Sequence, residues 1–447
     1  KQPFIHLNTI FIASNIILHL FHYLAKPLLT VPRGEMQNTL ISGSTGSGKT
    51  QVISDIVEQI RKRGDRAIIY DAKCDYVSWF YDPNKDYILN PFDERGEKWN
   101  LLAQITDERE IKGIISGFIP EKDYGDKIWE EAARVVCSAV LKELFKESCD
   151  LTNQEILDIL LKKDAEQMAY FLKDSYAKNL INPESPKTAY SVLFVISSYL
   201  NALEFMHGKK SESFIIKNWM RDAKDSILFI TSNPKYKAEL MPLETAFFEI
   251  AIRELISQKK EEKTWFIIDE LPTLQKIPSL SNALAVSRAS GGCFVLGIQN
   301  IAQLREIYSK NGAQNIVSEC NTKGIFRTND PDTAKWASDL IGDSEVEEFK
   351  EGLSYGAHKM RDGVSIQSNE KRKNIIMPSE FLAMPNLDLV LKISSFPSTK
   401  ATLKYKGRIN LHNTKNDVLQ NNKSEVIKPE NTLAEATLDQ FFSNYII

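Results

Sequence analysis

Cysteine pairs are the first thing this 447-residue sequence lacks. Its five cysteines, Cys74, Cys137, Cys149, Cys293 and Cys320, are scattered, odd in number and form no CxxC pair. That pattern argues against a disulfide framework or a zinc site and for buried thiols in a reduced compartment. An excess of one charge is missing too. The formal net charge is -3, so any contact with nucleic acid must come from a local basic surface. There are no internal repeats and no clean transmembrane run. Residues 4–25 are uncharged and about long enough to cross a bilayer, but His6, Asn8, Asn15, His19 and His22 interrupt them. Asn8, Asn15, His19 and His22 share one helical stripe, as in a membrane helix with a polar seam or an amphipathic helix lying on lipid or protein. No small-residue cleavage site follows, which argues against a signal peptide.

What is present is ordinary globular composition, 43% apolar and 26% charged, in a chain long enough for a main domain and a further module. Residues 39–71 read as a βαβ unit. Thr39-Leu40-Ile41 is a short apolar strand, and Val52, Ile53, Ile56, Val57 and Ile60 recur at helical spacing. Gly64 stops that helix, and Ala67-Ile68-Ile69-Tyr70 forms a second buried strand ending at Asp71. Buried strands with a helical crossover predict a parallel sheet covered on both faces.

From 104 to 215 strand–helix alternation is lost, which predicts an all-α insertion. Helices are expected over 127–145, with Trp129, Ala132, Val136, Val140, Leu144 and Phe145 as core, over 156–172 and over 188–206. Alternation then resumes, with strands at 227–231, 265–268, 293–297, 324–327, 387–393 and 401–405 and a helix over 241–258. The expected organisation is an N-terminal apolar helix (1–28), a nucleotide-binding domain (29–103 and 216–410), an all-α domain (104–215) and a tail (411–447).

Gly43-Ser44-Thr45-Gly46-Ser47-Gly48-Lys49-Thr50 matches GxxxxGK[ST] between a buried strand and a helix N-terminus. Its glycines let backbone N–H groups turn toward phosphate oxygens, and the helix end adds a favourable dipole. Lys49 is placed to reach the β- and γ-phosphates of a nucleoside triphosphate, and the Thr50 hydroxyl to coordinate Mg²⁺. A chance glycine-rich turn would not sit in this context. Trp265-Phe266-Ile267-Ile268-Asp269-Glu270 supplies the acidic strand end that such a site needs. Asp269 suits the Mg²⁺-ligand role and Glu270 the general base that polarises water. That pair distinguishes a hydrolytic motor from a small-molecule kinase or GTPase.

Gln299 follows the apolar run 293–298, where an adjacent parallel strand would bring it beside the γ-phosphate to sense it or orient water; otherwise it is an ordinary residue at a helix N-terminus. Transition-state charge also calls for an arginine. Arg288 ends a helix before Gly291-Gly292, where it would protrude toward a neighbouring subunit. Arg327, at the end of a later strand, competes with it, and a surface ion pair is the alternative for both.

With these elements the chain resembles the type IV coupling proteins of conjugation, the TraD/TrwB class and its TraD-like branch, from about Glu35 to Lys406. The matching runs include Asp269-Glu270-Leu271-Pro272-Thr273-Leu274, Gly291-Gly292-Cys293, Gly297-Ile298-Gln299, Phe326-Arg327, Ser354-Tyr355-Gly356-Ala357 and Arg361-Asp362-Gly363-Val364-Ser365. The resemblance implies an α/β fold, a RecA-like P-loop NTPase domain with a mainly parallel sheet plus an inserted all-α domain. It also implies a ring homo-hexamer with ATP and Mg²⁺ between subunits. DNA would be held mainly by its backbone and brought from a relaxosome protein to a type IV secretion channel, at the cytoplasmic face of the bacterial inner membrane. By the same resemblance Arg288 acts across the subunit interface, and Arg33 contacts the nucleotide base.

Two departures from the family pattern are expected. One imperfect apolar helix stands where the family carries membrane-spanning helices, a periplasmic segment and a basic linker, and the tail ends on Tyr445-Ile446-Ile447 without an acidic terminus. Rival readings are a DNA pump of the FtsK/HerA type, disfavoured by the helical insertion and the lack of a winged-helix pattern, and an ATP-binding remnant that docks partners without translocating.

Overall fold

The computed structural model describes residues 38–121, 127–182, 184–257, 262–354 and 363–408. The apolar segment 4–25, Arg33, the matching residues between Tyr355 and Asp362 and the tail from 411 lie outside them.

The elements, in chain order, are β1 (Thr39–Ser42), α1 (Lys49–Arg63), β2 (Arg66–Asp71), α2 (Asp75–Phe80), β3 (Tyr87–Leu89), α3 (Ile111–Phe118), α4 (Ile128–Lys146), α5 (Asn153–Leu161), α6 (Ala165–Phe171), α7 (Pro186–Leu200), α8 (Ile216–Asp222), β4 (Ile227–Thr231), α9 (Lys237–Ser257), β5 (Thr264–Ile268), α10 (Leu280–Ser290), β6 (Gly292–Ile298), α11 (Ile301–Glu319), β7 (Thr322–Phe326), α12 (Pro331–Ile341), β8 (Asp343–Ser354), β9 (Gly363–Asn374), α13 (Pro378–Ala383), β10 (Asp388–Ile393) and β11 (Thr399–Thr402). The chain divides into two compact units, one from residues up to 55 with 295–406, the other built mainly from 56–294.

In the first unit the strand order is β11-β10-β7-β1-β6. β1 lies parallel between β6 and β7, with Ser42 opposite Ile298 on one side and Ile325 on the other, while β10 is antiparallel to both β7 and β11. β8 and β9 form a separate antiparallel hairpin.

In the second unit the order is β5-β2-β4-β3, parallel throughout. Every residue of β2, β4 and β5 is buried, as parallel strands covered on both faces require. Between β3 and β4 the described residues form helices and short 3-10 turns, as the lost alternation predicts. The helix expected over 156–172 is instead two, α5 and α6. The chain breaks before Asp164, whose carboxylate accepts the Gln167 N–H (2.8 Å) while Gln167 accepts the Asp164 N–H (3.3 Å), a reciprocal cap that starts a new helix. The helix begun at Pro186 ends at Leu200, not Met206, and continues as a 3-10 turn.

α4 buries Ala133, Val136, Cys137, Val140, Leu141 and Leu144, whereas Trp129, Ala132 and Phe145, expected in the core, are half-buried. Its apolar residues cover more than one face, and packing against α7 selects which face is buried. Among the described residues no helix is long and apolar enough to cross a membrane.

Candidate nucleotide site

The glycine-rich loop leaves β1 and is held by the carboxyl ends of both neighbouring strands. The Gly43 N–H donates to the Ile298 carbonyl (3.2 Å), and the Ser44 N–H and Oγ–H donate to the Arg327 carbonyl (2.8 and 3.1 Å). Gly46 and Gly48 turn the loop at φ +75° and +126°, which strains any L side chain. Gly43 is needed for space: a Cβ there would come 2.6 Å from both Phe326 Cβ and Ser47 Oγ. Phe326 is fully buried and floors the loop. Lys49 opens α1, is 8% exposed, and its ammonium donates to the Gly43 carbonyl at 2.5 Å. Thr50 follows, half-buried. Ser47 Oγ is buried and takes no hydrogen bond among the described residues. A curled loop with an ammonium over it, a buried hydroxyl to spare and a 15-residue helix behind it is built to receive phosphate.

Gln299 follows β6, and its Nε2 donates to Thr45 Oγ1 at 3.2 Å. The residue expected to watch the γ-phosphate therefore touches the loop that would hold it. The Arg327 carbonyl anchors Ser44, and the half-buried Arg327 side chain has an Nε without a hydrogen bond among the described residues. Leu387, at φ +70°, donates its N–H to the Ser47 carbonyl (2.8 Å) and accepts from the Leu403 N–H (2.9 Å), so the β10–β11 edge braces the loop. Phe326, the Arg327 carbonyl and Leu387 act through packing and backbone atoms, a part that the matching run Phe326-Arg327 does not itself disclose.

In the second unit, Asp269 and Glu270 leave the end of β5 half-buried. The Glu270 carbonyl accepts both the Thr273 N–H (3.1 Å) and Thr273 Oγ1–H (2.7 Å), closing a single tight turn. At the end of the adjacent β2, Asp71 is 1% exposed and caps α2 by accepting the Asp75 N–H (3.0 Å) and Val77 N–H (2.8 Å). Burial, aided by the charges of Asp75 and Asp269, pushes its carboxyl up to about 7 against those two hydrogen bonds. Tyr76, on α2, is fully buried. Burial and then the carboxylates of Asp269 and Asp71 hold its hydroxyl well above its ordinary value, so it stays protonated beside the acid pair. Asp71 was readable only as a strand end. Its place one step beyond the Tyr70–Ile268 pair, level with Asp269, was the available signal.

Arg288 is exposed on the last turn of α10, before Gly291, which caps the helix at φ +73°. The five cysteines are free, and burial pushes the Cys74, Cys293 and Cys320 thiols up to about 12, which keeps them inert.

Residues 26–404 match the family model described as the type IV secretion-system coupling protein DNA-binding domain. Coupling protein TraD of Escherichia coli (strain K12) is 34% identical over 383 residues, 84% of this chain and 53% of that protein, so the chain spans about half that relative's length. The structure is similar to the unbound bacterial conjugative coupling protein TrwBdeltaN70, with TM-score 0.76, 25% identity and coverage of 85% of this chain and 88% of that one. It is likewise similar to plasmid coupling protein TrwB in complex with ADP and Mg²⁺, with TM-score 0.74, 25% identity and coverage of 85% and 87%. The fold is thus that of an α/β P-loop NTPase with an added helical region, and the chain belongs to the type IV secretion-system coupling protein family.

Proposed function

We propose that the chain is an ATP-hydrolysing motor that takes relaxed plasmid DNA from a relaxosome protein and drives it into a type IV secretion channel. The observation that carries this reading is the phosphate loop, sprung by Gly46 and Gly48, covered by Lys49 and touched by Gln299, in a chain of this family. The TrwB relative is known with ADP and Mg²⁺, which supports the same ligands here.

Lys49 would exchange the Gly43 carbonyl for phosphate oxygens, and the loop N–H groups would hold the β-phosphate. Thr50 and Asp269 offer a hydroxyl and a carboxylate, the hard oxygen donors that Mg²⁺ takes. A bound Mg²⁺ would neutralise phosphate charge. Glu270 would take a proton from the attacking water, and Gln299 would orient that water. Arg288 would enter the site of a neighbouring subunit in a homo-hexamer, and Arg33 would face the base. Residues 104–215 would be an all-α domain inserted in the nucleotide-binding domain (29–103 and 216–410). DNA would be gripped through its phosphates with little base readout, at the cytoplasmic face of the inner membrane.

The test is ATPase activity with and without single-stranded DNA, with Lys49→Ala as control and native mass measured in parallel. Stimulation by DNA together with a higher oligomer supports the motor. No stimulation from a permanent monomer removes it and leaves nucleotide binding alone.

A further inference from the structure

α9 carries polar side chains where a helix inside a fold usually has none. Glu244, Thr245 and Glu249 are 2%, 0% and 0% exposed. Each fastens the segment that runs from the acid pair to α10. Thr245 Oγ1 accepts the Gln275 N–H at 3.1 Å. The Glu249 carboxylate accepts the Ser279 N–H at 2.9 Å and the Ser279 hydroxyl at 2.6 Å. Glu244 reaches the start of the segment through two hydroxyls. Its Oε2 lies 3.1 Å from the Tyr70 hydroxyl, which lies 3.3 Å from Thr273 Oγ1, which lies 2.7 Å from the Glu270 carbonyl.

Counting protons sets the direction of this chain. A carbonyl only accepts, so the Thr273 proton goes to Glu270. For the 3.3 Å Tyr70–Thr273 contact to be made as well, Tyr70 must donate to Thr273 and accept from Glu244, instead of donating to a Glu244 carboxylate. All three links are made only when Glu244 is a neutral carboxylic acid. With an ionised Glu244, Tyr70 would donate to it, and the one Thr273 proton could serve only one of its two neighbours. Burial favours the neutral form and pushes the Glu244 carboxyl up to about 7, against the hydroxyls of Ser232 beyond β4 and Tyr70 of β2 and the charge of Lys237 on its own helix, which favour ionisation. Tyr70, buried beside it, keeps its proton well above the ordinary range.

We propose that Glu244 is a positioning residue for Glu270, acting through Tyr70 and Thr273 to hold the turn on which Glu270 stands. The inference rests on the hydrolysis reading above, in which Glu270 is the general base. A general base displaced by a fraction of an ångström loses rate without losing substrate, so the effect falls on kcat.

Three variants test it. Tyr70→Phe removes the central hydroxyl and keeps the ring, Glu244→Leu removes the first donor, and Glu244→Gln keeps a neutral donor in place. Tyr70→Phe and Glu244→Leu are expected to lower kcat for ATP about tenfold, with KM and binding of a fluorescent ATP analogue unchanged within about twofold, and Glu244→Gln to stay within about twofold of the parent. Hydrogen exchange at the amides of Leu271, Thr273, Leu274 and Gln275 rises in the first two and not in the third. Unchanged kcat and exchange in Tyr70→Phe overturn the proposal, as does equal damage from Glu244→Gln and Glu244→Leu. If the parent protein does not hydrolyse ATP at all, the hydrolysis reading falls and exchange alone decides. Faster exchange in Tyr70→Phe then upholds the clamp, and unchanged exchange removes it.

Discussion

Gln299 Nε2 lies 3.2 Å from Thr45 Oγ1, joining the residue after β6 to the middle of the loop after β1. The contact comes from register: Ser42 pairs with Ile298, so the two parallel strands end level and the loops beyond their carboxyl ends meet. Removing the Gln299 amide is expected to leave the loop folded. Gln299→Ala should keep ATP affinity within about twofold and lower kcat by tenfold or more, the mark of an interaction used mainly in the transition state. Equal loss of binding and rate would make Gln299 a structural prop.

Gly43→Ala probes the floor of the loop. The added Cβ would lie 2.6 Å from Phe326 Cβ, an atom fixed to the β7 backbone that cannot swing away. Overpacking of this kind costs about 1–3 kcal/mol. Nucleotide affinity should fall at least about tenfold with a lowered melting temperature; an unchanged affinity would show that the loop moves freely.

Arg288→Ala should abolish hydrolysis and spare ATP binding. Because Arg288 is exposed, its loss should change stability by no more than about 0.5 kcal/mol. Mixing Arg288→Ala subunits with Lys49→Ala subunits should recover part of the activity, since some interfaces then join an intact loop to an intact arginine. A mixture as inactive as its parts would remove the cross-subunit role.

α3 carries Gly113 and Gly117 four residues apart, and both lie against α9. A Cβ on Gly117 would come 2.9 Å from Glu249 Cβ and 3.0 Å from Ala246 Cα, whereas one on Gly113 would meet only the movable guanidinium of Arg253. Gly117→Val should therefore cost about 2–3 kcal/mol in denaturant unfolding and Gly113→Ala clearly less. The reverse ranking would contradict this packing.

Glu244 sets a pH dependence of stability. Its carboxyl is raised from 4.5 to about 7 in the folded chain. A raised pKa means that the folded state holds the proton more tightly. Its contribution is complete below pH 4.5 and is lost as pH rises toward 7. The full difference is about 3 kcal/mol. Glu244→Gln cannot ionise, so its stability relative to the parent should climb between pH 5 and pH 8 in chemical denaturation. A constant difference would mean that Glu244 is ionised throughout.

Much of the second unit's sheet was readable because burial on both faces writes itself as apolar runs: Ile227–Thr231 was found to the residue, and the strands before Asp71 and Asp269 to within one or two. The strand Tyr87–Leu89 was not, since three residues carry no period. Nor was the break between α5 and α6, which depends on Asp164 capping rather than on hydrophobic spacing.

The sequence by itself pointed to a phosphate loop and an acid pair, because glycines, Lys49, Thr50, Asp269 and Glu270 each suggest a role through residue type and local spacing. Tertiary structure alone decided what steadies them. Phe326 beneath Gly43, the Arg327 carbonyl on Ser44, Gln299 on Thr45 and the path from Glu244 to Glu270 join residues 26 to 283 positions apart. Contacts at such separations are made by parallel strands ending level and by a helix packed across them, and no local pattern records them.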